Sequence, residues 1–418
     1  MAVVRPGARG RSRHDNRQTG SRREGKDEID AAVAEVRENQ QKERDHDDAA
    51  ADAEQTPDEA GDEAERDGFG GDDHGSILGM RSIVPGRVPR VRIAFSPTSL
   101  GVSAADLLSL TVEAEQLGYE SAWLAEVAGP EALVLAGALA AATDRMDIGV
   151  AVVPAGIRSP ALLAMGAGTV SSLLKGRRFH LGIGASSEVI VRRWHGAEFD
   201  PPLARVREAV QATRALLGGG REYRGETVRV DRFRLAAVPD GPVDLNVGAL
   251  GPAMLRLAGA VADGVCLNLM TVAAVGQQLN EIRSGASAAG RDLAATFGVM
   301  ARFHVVETED LGEGRGIIRT GFGPYFAQPV YNRFLAWMGY PEEAKAIKEA
   351  FAVGDRDGVA AALHDDLVDA VALVGPPGRI RDRLSEYAAA GVQTAALSLL
   401  GADAAGVAAA LRALAPLR

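Results

Sequence analysis

The 418-residue chain has a single cysteine, Cys266. One thiol closes no intrachain disulfide and builds no cysteine-based metal site. Cys266 lies in the apolar run Gly264–Leu269, which predicts a buried structural thiol rather than a nucleophile. The seven histidines show no His-Glu-x-x-His or comparable spacing, so no metal is expected. Apolar residues never run to the roughly 18 that a membrane span needs, and the basic start is followed by no apolar segment of the signal-peptide kind. The chain is therefore expected in the cytoplasm, with a small-molecule substrate and neither a membrane nor a nucleic-acid partner.

Charge is unevenly spread. Up to Gly79 there are 12 Lys+Arg against 21 Asp+Glu, a net of −9 out of −10 for the whole chain. This stretch starts Arg-rich, turns acidic from Glu43 to Asp73, and has few bulky apolar side chains. It cannot bury enough surface to offset its chain entropy, so residues 1–88 read as a disordered charged extension, with a short helix over Asp27–Arg44 as an option. Met80 offers an alternative start of translation. Residues 89–418 read as one folded domain.

From Val91 onward, short β-rich apolar runs alternate with Ala/Leu-rich helical stretches, the pattern of βα units around a parallel sheet. Strands are predicted at Val91–Ser96, Ser121–Glu126, Asp147–Val153, Arg178–Gly184, Val243–Gly248, Gly264–Leu269, Thr296–Val306 and Thr394–Leu399. Eight of them make an α/β fold of the (β/α)8 TIM-barrel class. Ser103 followed by Asp106 marks a helix start, Gly118 a helix end, and Pro130, Pro160 and Pro252 first helical turns. Two segments exceed the minimal unit. Tyr223–Leu235 predicts a β-hairpin, and Gly312–Asp366 a helical insertion after strand seven that is a candidate lid.

Arg178–Ser187 reads R-F-H-L-G-I-G-A-S-S. A strand that ends in Gly182 and Gly184 and opens into Ser186 and Ser187 presents backbone N–H groups and hydroxyls at one point, which suits a phosphate. No Lys follows the glycines, and Ser187 stands where a G-x-G-x-x-G fingerprint needs Gly. The same residues also read as a tight strand-to-helix turn with two capping serines. Gly251-Pro252 is a second helix start that suits an anion, or a plain Gly/Pro cap.

As a set, these segments resemble the luciferase-like monooxygenase superfamily, in particular its coenzyme F420 (deazaflavin)-dependent oxidoreductases similar to methylenetetrahydromethanopterin reductase. The matching pieces are Gly118–Glu126 (G-Y-E-S-A-W-L-A-E), Ile148–Pro160 (I-G-V-A-V-V-P-A-G-I-R-S-P), R-F-H-L-G-I-G, Trp194-His195-Gly196, Pro202–Arg205, Val247–Pro252 and the block Pro341–Gly375. The resemblance implies an F420-dependent enzyme that transfers a hydride between the deazaflavin and a small organic substrate, and a homodimer. It also implies a non-prolyl cis peptide at Ala151-Val152 against the cofactor ring, the phosphate on Gly184, Ala185, Ser186 and Ser187, and Ser96 with Thr98 lining the floor. Gly248 and Gly251 would border the same cofactor.

Many relatives follow the acidic residue after strand two with His or Phe, whereas Glu126 is followed by Val127-Ala128-Gly129. Glu126 is the candidate catalytic residue, to position substrate or donate a proton, or else a salt-bridged rim carboxylate. Two other readings stay open: an FMN-dependent monooxygenase using reduced flavin and O2, and a non-catalytic flavin- or deazaflavin-binding protein.

Overall fold

The structure is a computed structural model that describes residues 90–97, 102–293, 296–401 and 403–416. The expectations for the extension, for the helix over Asp27–Arg44 and for Thr98 fall outside these residues.

All eight predicted strands are present. They are β1 (Arg92–Phe95), β2 (Ser121–Leu124), β3 (Asp147–Pro154), β4 (Phe179–Gly184), β7 (Val243–Gly248), β8 (Gly264–Asn268), β9 (Gly298–Glu307) and β11 (Thr394–Leu399). They pair in parallel around the ring, and the β8–β9 pairing closes the barrel. The predicted hairpin is β5 (Tyr223–Arg224) with β6 (Arg229–Val230), an antiparallel pair between β4 and β7.

Helices fill the connections: α1 (Ala104–Leu117), α2 (Ala132–Ala142), α3 (Pro160–Leu174), α4 (Pro202–Leu217), α5 (Pro252–Val261) and α6 (Val272–Ala288). Their starts follow from local chemistry. The Ser103 hydroxyl accepts the Asp106 N–H at 3.1 Å, and Ser159 caps the Leu162 N–H ahead of Pro160. Gly118 ends α1 at φ 96°, a backbone conformation that a Cβ would disfavour.

After β9 come five helices, α7 (Leu311–Ala327), α8 (Pro329–Trp337), α9 (Pro341–Ala352), α10 (Arg356–Ala362) and α11 (Asp365–Val371). They share an apolar cluster that includes Ile318, Phe326, Leu335, Ile347 and Leu367. Arg315 ties α7 to α11 through Asp369 at 2.6 Å and Asp365 at 2.9 Å. A three-residue strand, β10 (Leu373–Gly375), then pairs with β9 outside the closed ring. Three residues are too few for a period-two signal, so sequence reading passed over it. Helices α12 (Pro377–Ala390) and α13 (Ala404–Ala413) complete the chain.

The main core lies between strands and helices, where Phe95, Leu139, Ile148, Phe179, Leu181 and Leu397 are buried. Inside the barrel a smaller cluster of Ala94, Trp123, Cys266, Met300 and Ala396 forms the floor. Trp123 fits because Gly149 faces it: a Cβ there would stand 2.5 Å from the indole. Trp123 stacks on His180 at 4.7 Å, and His180 Nδ1 meets Asp244 at 3.1 Å, which gives His180 a place in the floor. No helix among the described residues is long and apolar enough to cross a membrane.

Candidate active site at the barrel mouth

The C-terminal ends of the strands converge on one mouth, the end at which barrels of this class carry their chemistry. Ser96, fully buried after β1, donates from its hydroxyl to the Trp123 carbonyl at 2.8 Å. The Ala151-Val152 peptide on β3 is cis, and the pairing of β3 with β4 slips between Val150 and Val153. Val152 is set among three glycines. A Cβ on Gly184 would stand 2.5 Å from Val152 Cγ2, one on Gly248 2.8 Å from its Cγ1, and one on Gly182 3.1 Å from Cγ1. The glycines of β4 and β7 thus make room for this bulge, a reason separate from any phosphate.

Beyond β4, Gly184 accepts a hydrogen bond at its carbonyl from the Ala155 N–H (2.8 Å), and Ser186 is left-handed at φ 62°. The Ser187 hydroxyl accepts the Ile190 N–H at 3.3 Å, at the start of a π-helical turn over Val189–Trp194. Ser187 therefore caps, one of the two serines that the capping reading of this turn calls for. Ala185 lines a small cavity together with Ala155, Gly156, Val191 and Pro202. Trp194 and His195 at the end of the turn are exposed rather than packed.

Strand β7 lies next to β4, with Ile183 paired to Val247, so Gly248 comes level with Gly184. The segment then turns into α5 at Gly251, where a Cβ would meet nothing within 4 Å. The Gly184–Ser187 turn and the Gly251-Pro252 start of α5 thus follow neighbouring strands, β4 and β7, at the mouth.

Glu126 lies on the rim. Its carboxylate accepts both Arg158 nitrogens, Oε1 from Nη1 at 2.6 Å and Oε2 from Nη2 at 2.7 Å, and also the Ala132 N–H at 3.1 Å. Arg158 additionally pairs with Glu131. Burial works against the Arg158 charge, but the hydrogen bonds and field of Glu126 and Glu131 outweigh it and raise the guanidinium's pKa. The acid is thus held as one half of a fork-to-fork ion pair.

Sequence reading missed the polar side chains of β9. Met300, Arg302 and His304 alternate on its inner face; a charged residue and a histidine at period two in an apolar strand were the available signal. Arg302 Nη2 crosses the mouth to donate to the Ala151 carbonyl at 2.7 Å and lies 3.3 Å from that of Leu124. His304 Nε2 meets Asn268 Oδ1 at 3.1 Å, and its ring packs on Phe322 of α7 at 4.1 Å. Burial first, and the Arg302 cation second, push the His304 pKa down to about 3, so the ring stays neutral at ordinary pH. Cys266, in the floor below, is buried as expected, with its thiol pushed up to about 12 by burial.

A closed parallel barrel whose mouth is furnished in this way defines a (β/α)8-barrel enzyme. More narrowly, the chain belongs to the luciferase-like monooxygenase family, whose model matches residues 91–394. It is 31% identical over 298 residues to the 5,10-methylenetetrahydromethanopterin reductase of Archaeoglobus fulgidus, covering 69% of this chain and 88% of that one. It is 30% identical over 188 residues to the F420-dependent glucose-6-phosphate dehydrogenase of Nakamurella multipartita, covering 42% of this chain and 56% of that one. Among solved structures, the coenzyme F420-dependent tetrahydromethanopterin reductase of Methanopyrus kandleri superposes with a TM-score of 0.65 at 20% identity, covering 78% and 98% of the two chains. That likeness is one of fold.

Proposed function

We propose that this enzyme binds coenzyme F420 in the barrel mouth and exchanges a hydride between it and a small organic substrate. The observation that carries the reading is that the Gly184–Ser187 and Gly251-Pro252 turns follow neighbouring strands whose glycines, Gly184 and Gly248, border the Val152 bulge. Paired backbone N–H groups and a helix N-terminus suit a phosphate, and a convex apolar bulge bordered by glycines suits the face of a flat ring. The F420-dependent enzymes among its relatives support the same cofactor. When bound, F420 supplies hydride chemistry at C5 of its deazaflavin ring.

The chain's own residues orient and enclose. Ala185, Ser186 and Ser187 hold the phosphate end, Val152 sets the height of the ring, and Ser96 fixes the β1–β2 floor beneath it. Glu126 and Arg158 lock the rim where β2 and β3 end, and Glu126 serves as a positioning carboxylate for the substrate. The helices after β9 shield the mouth from water.

A second copy of the chain is the proposed partner. Helix α2 (A-L-V-L-A-G-A-L-A-A-A) is apolar on every side, yet Val134 is 74% exposed, and Leu162 and Met165 on neighbouring α3 are close to half exposed. An apolar helix of that kind calls for cover, and a matching α2–α3 pair supplies it.

The cofactor is tested by titrating the purified protein with F420 and, separately, with FMN, following absorbance and fluorescence. Saturable F420 binding that is lost when Ser186 and Ser187 are replaced by Asp supports the reading. Preference for FMN moves the protein to the monooxygenase reading, and binding of neither removes the cofactor proposal.

A further inference from the structure

The inner face of β9 places the cation of Arg302 inside the barrel mouth, one layer above the Met300–Cys266–Trp123 floor. Arg302 stands level with Ala396 on β11 and Asn268 on β8. Its hydrogen bonds run to neutral carbonyls, those of Ala151 and Leu124. Its Nε is buried and has no partner, and among the described residues no carboxylate pairs with it. The titratable groups that face it are the Cys266 thiol, the Tyr325 and Tyr331 phenols and the His304 ring. Burial raises the pKa of Cys266 and, with the field of Tyr325, that of Tyr331, so neither supplies an anion at ordinary pH.

A half-buried guanidinium whose Nε is shut off from water is ordinarily matched by an anion, because carbonyl dipoles replace its hydration but not its counter-charge. The Nδ1 of His304, one layer up, is likewise buried without a partner. Two orphaned polar atoms therefore lie on neighbouring inward positions of one strand, while the rim carboxylate, Glu126, is already taken by Arg158. Over them the insertion contributes aromatic rings in series: Phe322 lies 5.8 Å from Tyr325, and Tyr325 lies 5.7 Å from Tyr331.

We propose that Arg302 is the anion-binding residue of the substrate pocket, pairing with a substrate carboxylate whose flat apolar body packs against Phe322, Tyr325 and Tyr331. The word substrate rests on the F420 reading above; the carboxylate site itself does not. The guanidinium also ties the incoming acid to the Ala151 carbonyl, and so to the bulge that sets the ring height. A charge-paired anchor of this kind selects acids over their neutral isosteres.

The test uses the full-length protein, with and without F420, titrated calorimetrically with benzoate and with benzamide, its uncharged counterpart. Benzoate is expected to bind saturably in the millimolar range or tighter and benzamide about 30-fold more weakly, the loss of one buried charge-assisted pair. Arg302→Gln is expected to weaken benzoate about as much while changing F420 affinity less than about 3-fold, and Arg302→Lys to retain part of it. The wild-type comparison of acid with amide stands even if the Gln variant does not fold. Equal binding of benzoate and benzamide, or no saturable benzoate binding, overturns the proposal. So does an Arg302→Gln protein that loses F420 affinity by the same factor, which assigns the charge to an anionic form of the cofactor ring. Failure of F420 to bind the wild-type protein removes the cofactor reading while the benzoate titration of the cofactor-free protein still reports on Arg302.

Discussion

Replacing Gly184 with Ala tests whether the glycines at the ends of β4 and β7 are there to house Val152. The new Cβ would lie 2.5 Å from Val152 Cγ2, about 1 Å inside ordinary carbon–carbon contact. Overpacking of that size costs about 1–3 kcal/mol, and the entropy that Ala removes from the unfolded chain returns about 0.4–1 kcal/mol of it. A net loss of about 1–2 kcal/mol is expected. Val152→Ala, which removes two methyl groups from a half-buried position, is expected to cost about 1 kcal/mol. In the double variant the clash has no second party, so the cycle is expected to show a favourable coupling of about 1–2 kcal/mol. Gly182→Ala is the control. Its nearest obstacle is the Val150 carbonyl oxygen at 2.2 Å, which is backbone, so truncating Val152 is not expected to rescue it. Urea denaturation of these four proteins, of Gly182→Ala and of its combination with Val152→Ala measures all of this. Additivity of Gly184→Ala and Val152→Ala within about 0.5 kcal/mol would refute the packing argument, and rescue of Gly182→Ala by Val152→Ala would show that the wrong contact had been blamed.

Glu115 accepts the N–H groups of Asp144, Arg145 and Met146, with Oε1 at 3.0, 2.7 and 2.9 Å. Burial alone would raise its pKa, but these donors and the Arg145 charge prevail and the net shift is downward. A carboxyl lowered by folding adds stability that is present above its unfolded pKa and lost as pH falls through the folded value. Glu115→Gln is therefore expected to cost about 1–3 kcal/mol at neutral pH and to flatten the acid side of the stability profile, read as urea midpoints from pH 7 to pH 3. Glu126→Gln leaves the Arg158 fork facing a neutral amide and is expected to lower stability by about 1–2 kcal/mol; an unchanged midpoint would mean that the pair does not hold the rim. Val134→Glu places a charge on the apolar α2 face, and light scattering after size exclusion is expected to shift from dimer to monomer mass; a variant that keeps the wild-type mass counts against α2 as the interface.

Much of the barrel is written in local pattern. Alternating strand and helix signals place all eight ring strands, and those at Val243–Gly248 and Thr394–Leu399 have the same bounds in the structure. Capping chemistry marks Ser103, Gly118, Pro160 and Pro252 because a cap is an interaction between near neighbours in the chain. The cis bond at Ala151-Val152 came from family resemblance, since nothing in those two side chains announces it. Tertiary structure alone decided what faces what. Glu126 could be read as an acid or as half of an ion pair, and only the fold brings Arg158, 32 residues away, onto both its oxygens. Glycines that read as a phosphate loop also make space for a valine from the neighbouring strand. Arg302 looked like one residue of an apolar strand until closure of the ring set its guanidinium against a carbonyl 151 residues away and left its charge without an anion. Local sequence determines φ, ψ and periodicity; partners distant along the chain are fixed only when the barrel closes, and the chemistry of this mouth depends on those partners.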